Sequence, residues 1–295
     1  MEKLAEKFKE KRPNLSHTSI KTYLSILSNL YKRMDGKGDM YDFFKDNLDK
    51  VIDHLKDDRP NLRKTKLAVL VSLFGDDADT AKLREIMLED ANEYNATLRN
   101  QQMNDRQKQN WLTTEEIREV YKKTYKKAVP LMKATKKPNK KEYQDILDFV
   151  LLSLYTLIPP RRSQDFSEMK LRNYDKDTDN YYDGKVFVFH KYKTSKNYGT
   201  QTIRPTQRLR NILKKWAEIN PHDYLLASYD GNKASVSRIT LMLNKIFGKN
   251  VSTTMLRHIY ITESVLKDAP TLKQREDVAM AMGHDTDTQE LYRKV

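Results

Sequence analysis

The stretch Leu157-Ile158-Pro159-Pro160-Arg161-Arg162-Ser163-Gln164-Asp165-Phe166-Ser167-Glu168-Met169 is where a strongly apolar segment meets two adjacent cations. Upstream, Glu142 to Ile158 reads as a buried helix, and the paired prolines stop it because proline lacks an N–H and clashes with the preceding turn. Before that helix, Trp111-Leu112-Thr113-Thr114-Glu115-Glu116 carries a capping box, Thr113 with Glu116, which opens a helix running to about Met132. Downstream, Lys185-Val186-Phe187-Val188-Phe189-His190-Lys191 and Gln201-Thr202-Ile203-Arg204 are β-branched and aromatic, so they predict a hairpin with its turn at Lys193–Gly199. Helices are expected at Leu209–Ile219, Ser235–Phe247, Met255–Leu266 and Leu272–Met282, with a last one reaching the end of the chain.

The first hundred residues read differently. Ile20, Tyr23, Leu24, Leu27, Leu30, Tyr31 and Met34 follow helical spacing behind a Ser16 or Thr18 cap, and Gly36 and Gly38 end the run. One helix is expected over Tyr41–Leu55, another from Pro60 to Phe74, and a fourth from about Ala78. Glu89 to Asn110 is polar and reads as a linker or helical extension. The expected organisation is a helical bundle at 1–88, a linker at 89–110, and a mainly α domain at 111–295 with one small antiparallel sheet.

Composition narrows the chemistry. The 295 residues carry 55 Lys+Arg against 41 Asp+Glu, a formal charge of +14. Residues 1–100 hold 19 basic and 18 acidic side chains, so the remainder carries +13 of that charge. An anionic partner is expected, with nucleic acid first. There is no cysteine, which excludes disulfides, thiolate metal sites and a cysteine nucleophile. Eight glycines leave little for Gly-rich phosphate loops or a turn-dense all-β fold. The longest apolar run, Phe149–Ile158, is ten residues long, too short for a bilayer. Met1 to Lys7 has no apolar signal region. A soluble, intracellular protein with no membrane partner is expected. Asp175, Asp177 and Asp179 have calcium-loop spacing, but Asn180 stands where the glycine is needed and Val186 where the bidentate Glu belongs. The six histidines show no zinc spacing. No metal and no cofactor is expected.

Four segments remain together: Arg161-Arg162-Ser163-Gln164-Asp165 with Met169; Lys193-Thr194-Ser195-Lys196; Thr253-Thr254-Met255-Leu256-Arg257-His258; and Met282-Gly283-His284 followed by Tyr292. Their order and spacing resemble the catalytic domain of tyrosine recombinases, the phage-type integrases. That family reads Arg-x-Ser-Glu-Leu, a hairpin Lys, His-x-Leu-Arg-His, then Leu-Gly-His and a Tyr about nine residues on. The N-terminal bundle is similar to the family's core-binding domain, so the resemblance covers nearly the whole chain. It implies a site-specific recombinase that cuts and rejoins duplex DNA through a covalent 3′-phosphotyrosine, without metal, as a homotetramer on DNA. Its two domains would close on the duplex as a C-shaped clamp. The physical chemistry fits: transesterification needs a hydroxyl nucleophile, cations for the phosphorane's charge and a proton for the leaving 5′ oxygen.

What the resemblance implies for each residue can be stated. Arg162 takes the first clamp position, because Asp165 then falls on the family's Glu and Met169 on the apolar residue seven on; Arg161 would shift both. Lys193, before Thr194, is the proton donor, with Lys196 as the fallback. Arg257 is the second clamp and His258 a supporting residue. His284 hydrogen-bonds the phosphate or positions the nucleophile, Tyr292. The family's first histidine falls on Thr254, which cannot act as an acid or base and is expected to give at most a phosphate hydrogen bond. Two further readings stand beside this one. A type IB topoisomerase shares the chemistry, although its viral form has a β-rich N-terminal domain. A DNA-binding protein on an inactivated recombinase fold lacks the reaction. The Pro-Pro-Arg-Arg string and the Lys-, Asn- and Tyr-rich composition point toward viral or other mobile elements.

Overall fold

A computed structural model describes residues 1–134, 136–266 and 271–294. The chain forms two compact units, Met1–Asn100 and Gln101–Val295. Unit one contains α1 (Glu2–Lys11), α2 (His17–Arg33), α3 (Met40–Asp46), α4 (Leu48–Leu55), α5 (Pro60–Phe74) and α6 (Ala81–Arg99). Ser16 caps α2 by accepting from the Ser19 N–H. Phe8, Leu27, Phe44, Leu55, Leu70 and Phe74 meet in one apolar core. The single helix expected over Tyr41–Leu55 is two helices. Asn47 leaves helical geometry at φ −127°, and its side-chain amide donates to the Phe43 carbonyl, closing α3 before α4 starts. α1 escaped the sequence reading because only Leu4 and Phe8 mark its buried face. α6 runs on to Arg99 through polar sequence, since it buries Leu83 at one end and Asp90 further along.

Unit two opens with α7 (Asp105–Asn110), α8 (Thr114–Lys133) and α9 (Lys140–Thr156). The Thr113–Glu116 capping box is present, with Thr113 N–H donating to Glu116 Oε2 at 2.7 Å. After α9 come α10 (Ser163–Ser167) and the strands β1 (Met169–Lys170), β2 (Asn180–Tyr182) and β3 (Phe187–Phe189). The short α11 (Ser195–Tyr198) lies in the turn before β4 (Gln201–Ile203). Then follow α12 (Gln207–Ile219), α13 (Val236–Phe247), α14 (Thr253–Tyr260), a π-helical turn at Ile261–Val265, α15 (Leu272–Met282) and α16 (Thr286–Tyr292).

The fold is mainly α with a small sheet, as the sequence indicates. The sheet is mixed rather than purely antiparallel. Its order is β1-β2-β3-β4: β1 pairs parallel with β2, Met169 against Asn180, and the β2–β3 and β3–β4 pairs are antiparallel. Two-residue β1 is too short to show a period, so the sequence pattern carried no sign of it. The Asp175–Asp179 loop joins β1 to β2, and Asp179 there accepts from Lys170, Lys191 and the Asp175 N–H, which hold its carboxyl well below the usual range. α9 lies at the heart of this unit, with Phe149, Val150, Leu151 and Leu152 inaccessible to solvent. Among the described residues no helix is long and apolar enough to cross a membrane.

Inside unit one, Arg63 on α5 grips the buried Asp90 on α6 through two bonds, Nε to Oδ2 at 2.9 Å and Nη2 to Oδ1 at 2.6 Å. Removing the arginine strands a carboxylate that is 1% exposed. Arg63→Ala is therefore expected to lower stability by about 3 kcal/mol in urea unfolding. Lys82→Ala, which breaks an exposed pair with Asp49, should change it by under about 1 kcal/mol.

Candidate functional site

The end of α15 organises the site. Its C-terminal carbonyls have no intrahelical partner, and three consecutive ones each accept from an arginine. Arg161 Nη1 donates to Ala281 O at 2.9 Å, Arg257 Nη1 to Met282 O at 2.9 Å, and Arg162 Nη1 to Gly283 O at 3.2 Å. Gly283 ends the helix in the left-handed region at φ +72°, and a Cβ there would stand 3.0 Å from Arg161 Nη2, so the position needs glycine twice over.

The three arginines differ in what else they touch. Arg161 is fully buried, donates through Nε to Asp165 Oδ2 at 2.7 Å and through Nη1 to Gln201, and stacks 4.0 Å over the Phe189 ring. Burial pushes the Asp165 carboxyl up and the Arg161 guanidinium down, and each offsets the shift of the other. Asp165 thus serves Arg161, while Arg162 is half-buried with Gly283 O as its one acceptor among the described residues. Arg257, on α14, is fully buried, yet its Nη1 meets only carbonyls, Pro160 O and Met282 O. Its Nε and Nη2 are buried without a partner. Burial lowers its pKa, countered in part by the adjacent Tyr292 phenol.

Tyr292, at the end of α16, lies over this group. Arg257 Cζ is 4.7 Å from its ring centroid, and the His258 and His284 rings are 4.9 and 5.4 Å away. Four ties hold its helix. Gln101 Nε2 donates to Glu290 O at 2.9 Å, Arg275 pairs with Glu290, the Lys294 N–H donates to Thr262 Oγ1, and His258 Nδ1 donates to Tyr292 O at 2.7 Å. Thr262 sits in the π-helical turn, an irregularity common beside functional sites. A small apolar cluster of Ile261, Val265 and Met282 supports the ring from below the turn.

His284 donates from Nδ1 to Asp285 O at 2.8 Å, which leaves Nε2 as a bare acceptor, buried and unpartnered. Burial lowers both His258 and His284 to about 4, so both are neutral at pH 7. A neutral Nε2 accepts hydrogen bonds and cannot donate one to a phosphate.

The hairpin reaches the group through the Thr194 side chain. Lys193 is exposed and Thr194, next to it, donates from Oγ1 to Gly283 O at 3.0 Å. Lys196, in α11, is also exposed. Thr254 is exposed as the second residue of α14 and has no hydrogen-bond partner among the described residues; the adjacent Thr253 instead pairs with Ser163 at 2.9 Å. The sequence reading missed the structural use of Arg161, although the Arg161–Asp165 spacing of four was a signal for it. It also missed Gln101 and Gln201, for which no local pattern exists.

No family model matches the chain, and no curated protein matches its sequence. The fold is that of the tyrosine recombinases. A lambda integrase tetramer bound to a Holliday junction superposes at a TM-score of 0.51 with 14% identity, over 99% of this chain and 77% of that one. A lambda integrase dimer bound to a COC′ core site gives 0.50 with 12% identity, over 98% and 93%.

The two histidines set a pH signature. An unfolded histidine takes up its proton near pH 6.5, whereas these do so near 4. Between those values the unfolded state binds more protons, so stability falls as pH drops from 6.5 toward 4 and this contribution levels off below. A loss of roughly 2 kcal/mol per histidine, about 4 kcal/mol for the two, is expected between pH 7 and 5 in urea unfolding. The His258→Gln/His284→Gln double variant should flatten that slope.

Proposed function

We propose that this chain is a site-specific DNA recombinase that cleaves and rejoins duplex DNA through a covalent 3′-phosphotyrosine at Tyr292. One observation carries the reading. Arg257 buries two unpartnered donors directly beside Tyr292, with no carboxylate to neutralise them. Each orphaned buried donor is worth roughly 1–3 kcal/mol of unmet hydrogen bonding, and an incoming phosphate oxygen meets that demand. Arg162, anchored on the neighbouring carbonyl, supplies the second fork.

The reaction follows from these groups. Tyr292 Oη bonds to the scissile phosphorus and the P–O5′ bond breaks. The phenolic proton passes to the bare Nε2 of His284 or to water. Arg162 and Arg257 hold the non-bridging oxygens as charge builds. Lys193 gives its ammonium proton to the leaving 5′ oxygen. Reversal with a different 5′ hydroxyl rejoins the strand. The arginines and the lysine supply the charge a metal would otherwise bring, so activity in EDTA is expected. Duplex DNA is the proposed partner, gripped by unit two, whose sequence carries +13 of the net charge; assembly of four copies on DNA and use by a viral or other mobile genome belong to the same reading.

Covalent capture from a randomised, nicked 40-bp duplex library tests it. Wild-type protein should give detergent-resistant adducts mapping to Tyr292, and Tyr292→Phe should bind but form none. Arg162→Ala and Arg257→Lys should each slow capture by roughly 10²-fold or more while weakening binding far less. An adduct on Tyr260, or a strict requirement for a divalent metal, overturns the assignment. Strand exchange between two duplexes separates a recombinase from a topoisomerase, which would only relax supercoils.

Binding should also be steeply salt-dependent. With about six phosphates neutralised, log K is expected to fall with log[salt] at a slope near −5. A 101–295 fragment should keep most of that slope and lose much of its sequence preference, measured on captured and random duplexes. A shallow slope for the full chain refutes the electrostatic grip.

A further inference from the structure

We infer that Thr194 is a positioning residue that holds the Lys193 hairpin in the site through the Gly283 carbonyl. The inference rests on the proposed roles of Lys193 and Tyr292. A lysine on an exposed turn has a flexible four-carbon stem and little reason to meet one oxygen at one moment. Here the main chain on both sides of Lys193 is fixed. Tyr192 is buried, and its hydroxyl donates across the turn to Gly199 O at 2.8 Å. Thr194 Oγ1 donates to Gly283 O at 3.0 Å.

The acceptor matters as much as the donor. Gly283 O also takes the Arg162 Nη1 bond, so both of its lone pairs are in use. One atom therefore sets the positions of the first clamp and of the hairpin. Tyr198, at the far end of α11, adds a second tie, its hydroxyl to Asp285 Oδ2 at 3.3 Å. Asp285 is the N-cap of the nucleophile's own helix, accepting from the Thr288 N–H. The hairpin thus rests on the 283–285 segment, between the arginines and Tyr292. Thr194 touches no reacting atom; it acts by keeping the Lys193 backbone where the ammonium can reach the leaving oxygen.

The leaving group gives a readout that a merely structural role would not move. An alkoxide departs poorly without a proton, its acid resembling water at ~15.7, whereas a thiol's pKa is about 8.5 and a thiolate departs unaided. The duplex captured by wild-type protein is remade with sulfur in place of the 5′ bridging oxygen. Thr194→Val should cut the oxygen substrate roughly ten- to a hundredfold more slowly than wild type, and the sulfur substrate within about threefold of it. Thr194→Ser, which keeps the hydroxyl, should match wild type on both. Arg257→Lys should stay slow on both, because its defect lies in charge stabilisation. Thr194→Val that is slow on both substrates, or normal on oxygen, overturns the inference. Lys193→Ala marks where a failure lies: rescued by sulfur alongside an unrescued Thr194→Val, it refutes the tie alone; unrescued itself, it removes Lys193 as the donor and the inference with it.

Discussion

Burying a guanidinium demands acceptors, and what those acceptors are decides what the cation can still do. At the end of α15 the acceptors are main-chain carbonyls, three in succession for three arginines. A helix C-terminus is the negative end of its dipole and presents carbonyls that no turn of the helix uses. It can therefore hold a cation without cancelling its charge. Arg161 shows the other outcome. Its Nε is spent on Asp165, and the pair behaves as a strut inside the domain. Arg257 keeps a full positive charge, fixed in place and unpaired toward Tyr292.

The tyrosine's surroundings follow the same economy of charge. Two histidines flank its ring, and burial keeps both neutral at pH 7. They add no positive charge to a pocket already holding two guanidiniums. Each instead makes one directional bond: His258 to the main chain at Tyr292, and His284 to the Asp285 carbonyl, which leaves its Nε2 buried and unpartnered. Pre-set geometry and uncompensated charge are the two features that the proposed phosphoryl transfer would need before a substrate arrives.

Much of this was legible in the sequence, for identifiable reasons. The helices with long apolar stripes were visible because burial imposes a 3.6-residue period: α2, α9 and α12 are examples. Capping chemistry at Thr113 was visible because it is local. Arg257, His258 and His284, which lie against Tyr292, were visible as members of spaced motifs. What stayed hidden was of another kind. The break at Asn47 depends on one side-chain bond inside an unbroken apolar pattern. The parallel β1–β2 pair is made by two residues. Gly283 could be read as a helix stop, but its carbonyl, which receives Arg162 and Thr194, leaves no trace in a string of side chains. Spacing set Arg162 ahead of Arg161 as an expectation; that Arg161 bonds to Asp165 and Gln201 was not legible at all.

The carbonyl anchoring has an evolutionary corollary. The main-chain oxygen at 281 is supplied by any residue that keeps the helix, so substitutions there leave the Arg161 seat unchanged, whereas Met282 also packs its buried side chain in the cluster against Tyr292. Inserting or deleting one residue within α15 is another matter, since it turns the helix end by about 100° and presents the wrong carbonyl to every arginine at once. Such a site tolerates drift in letters and forbids drift in length.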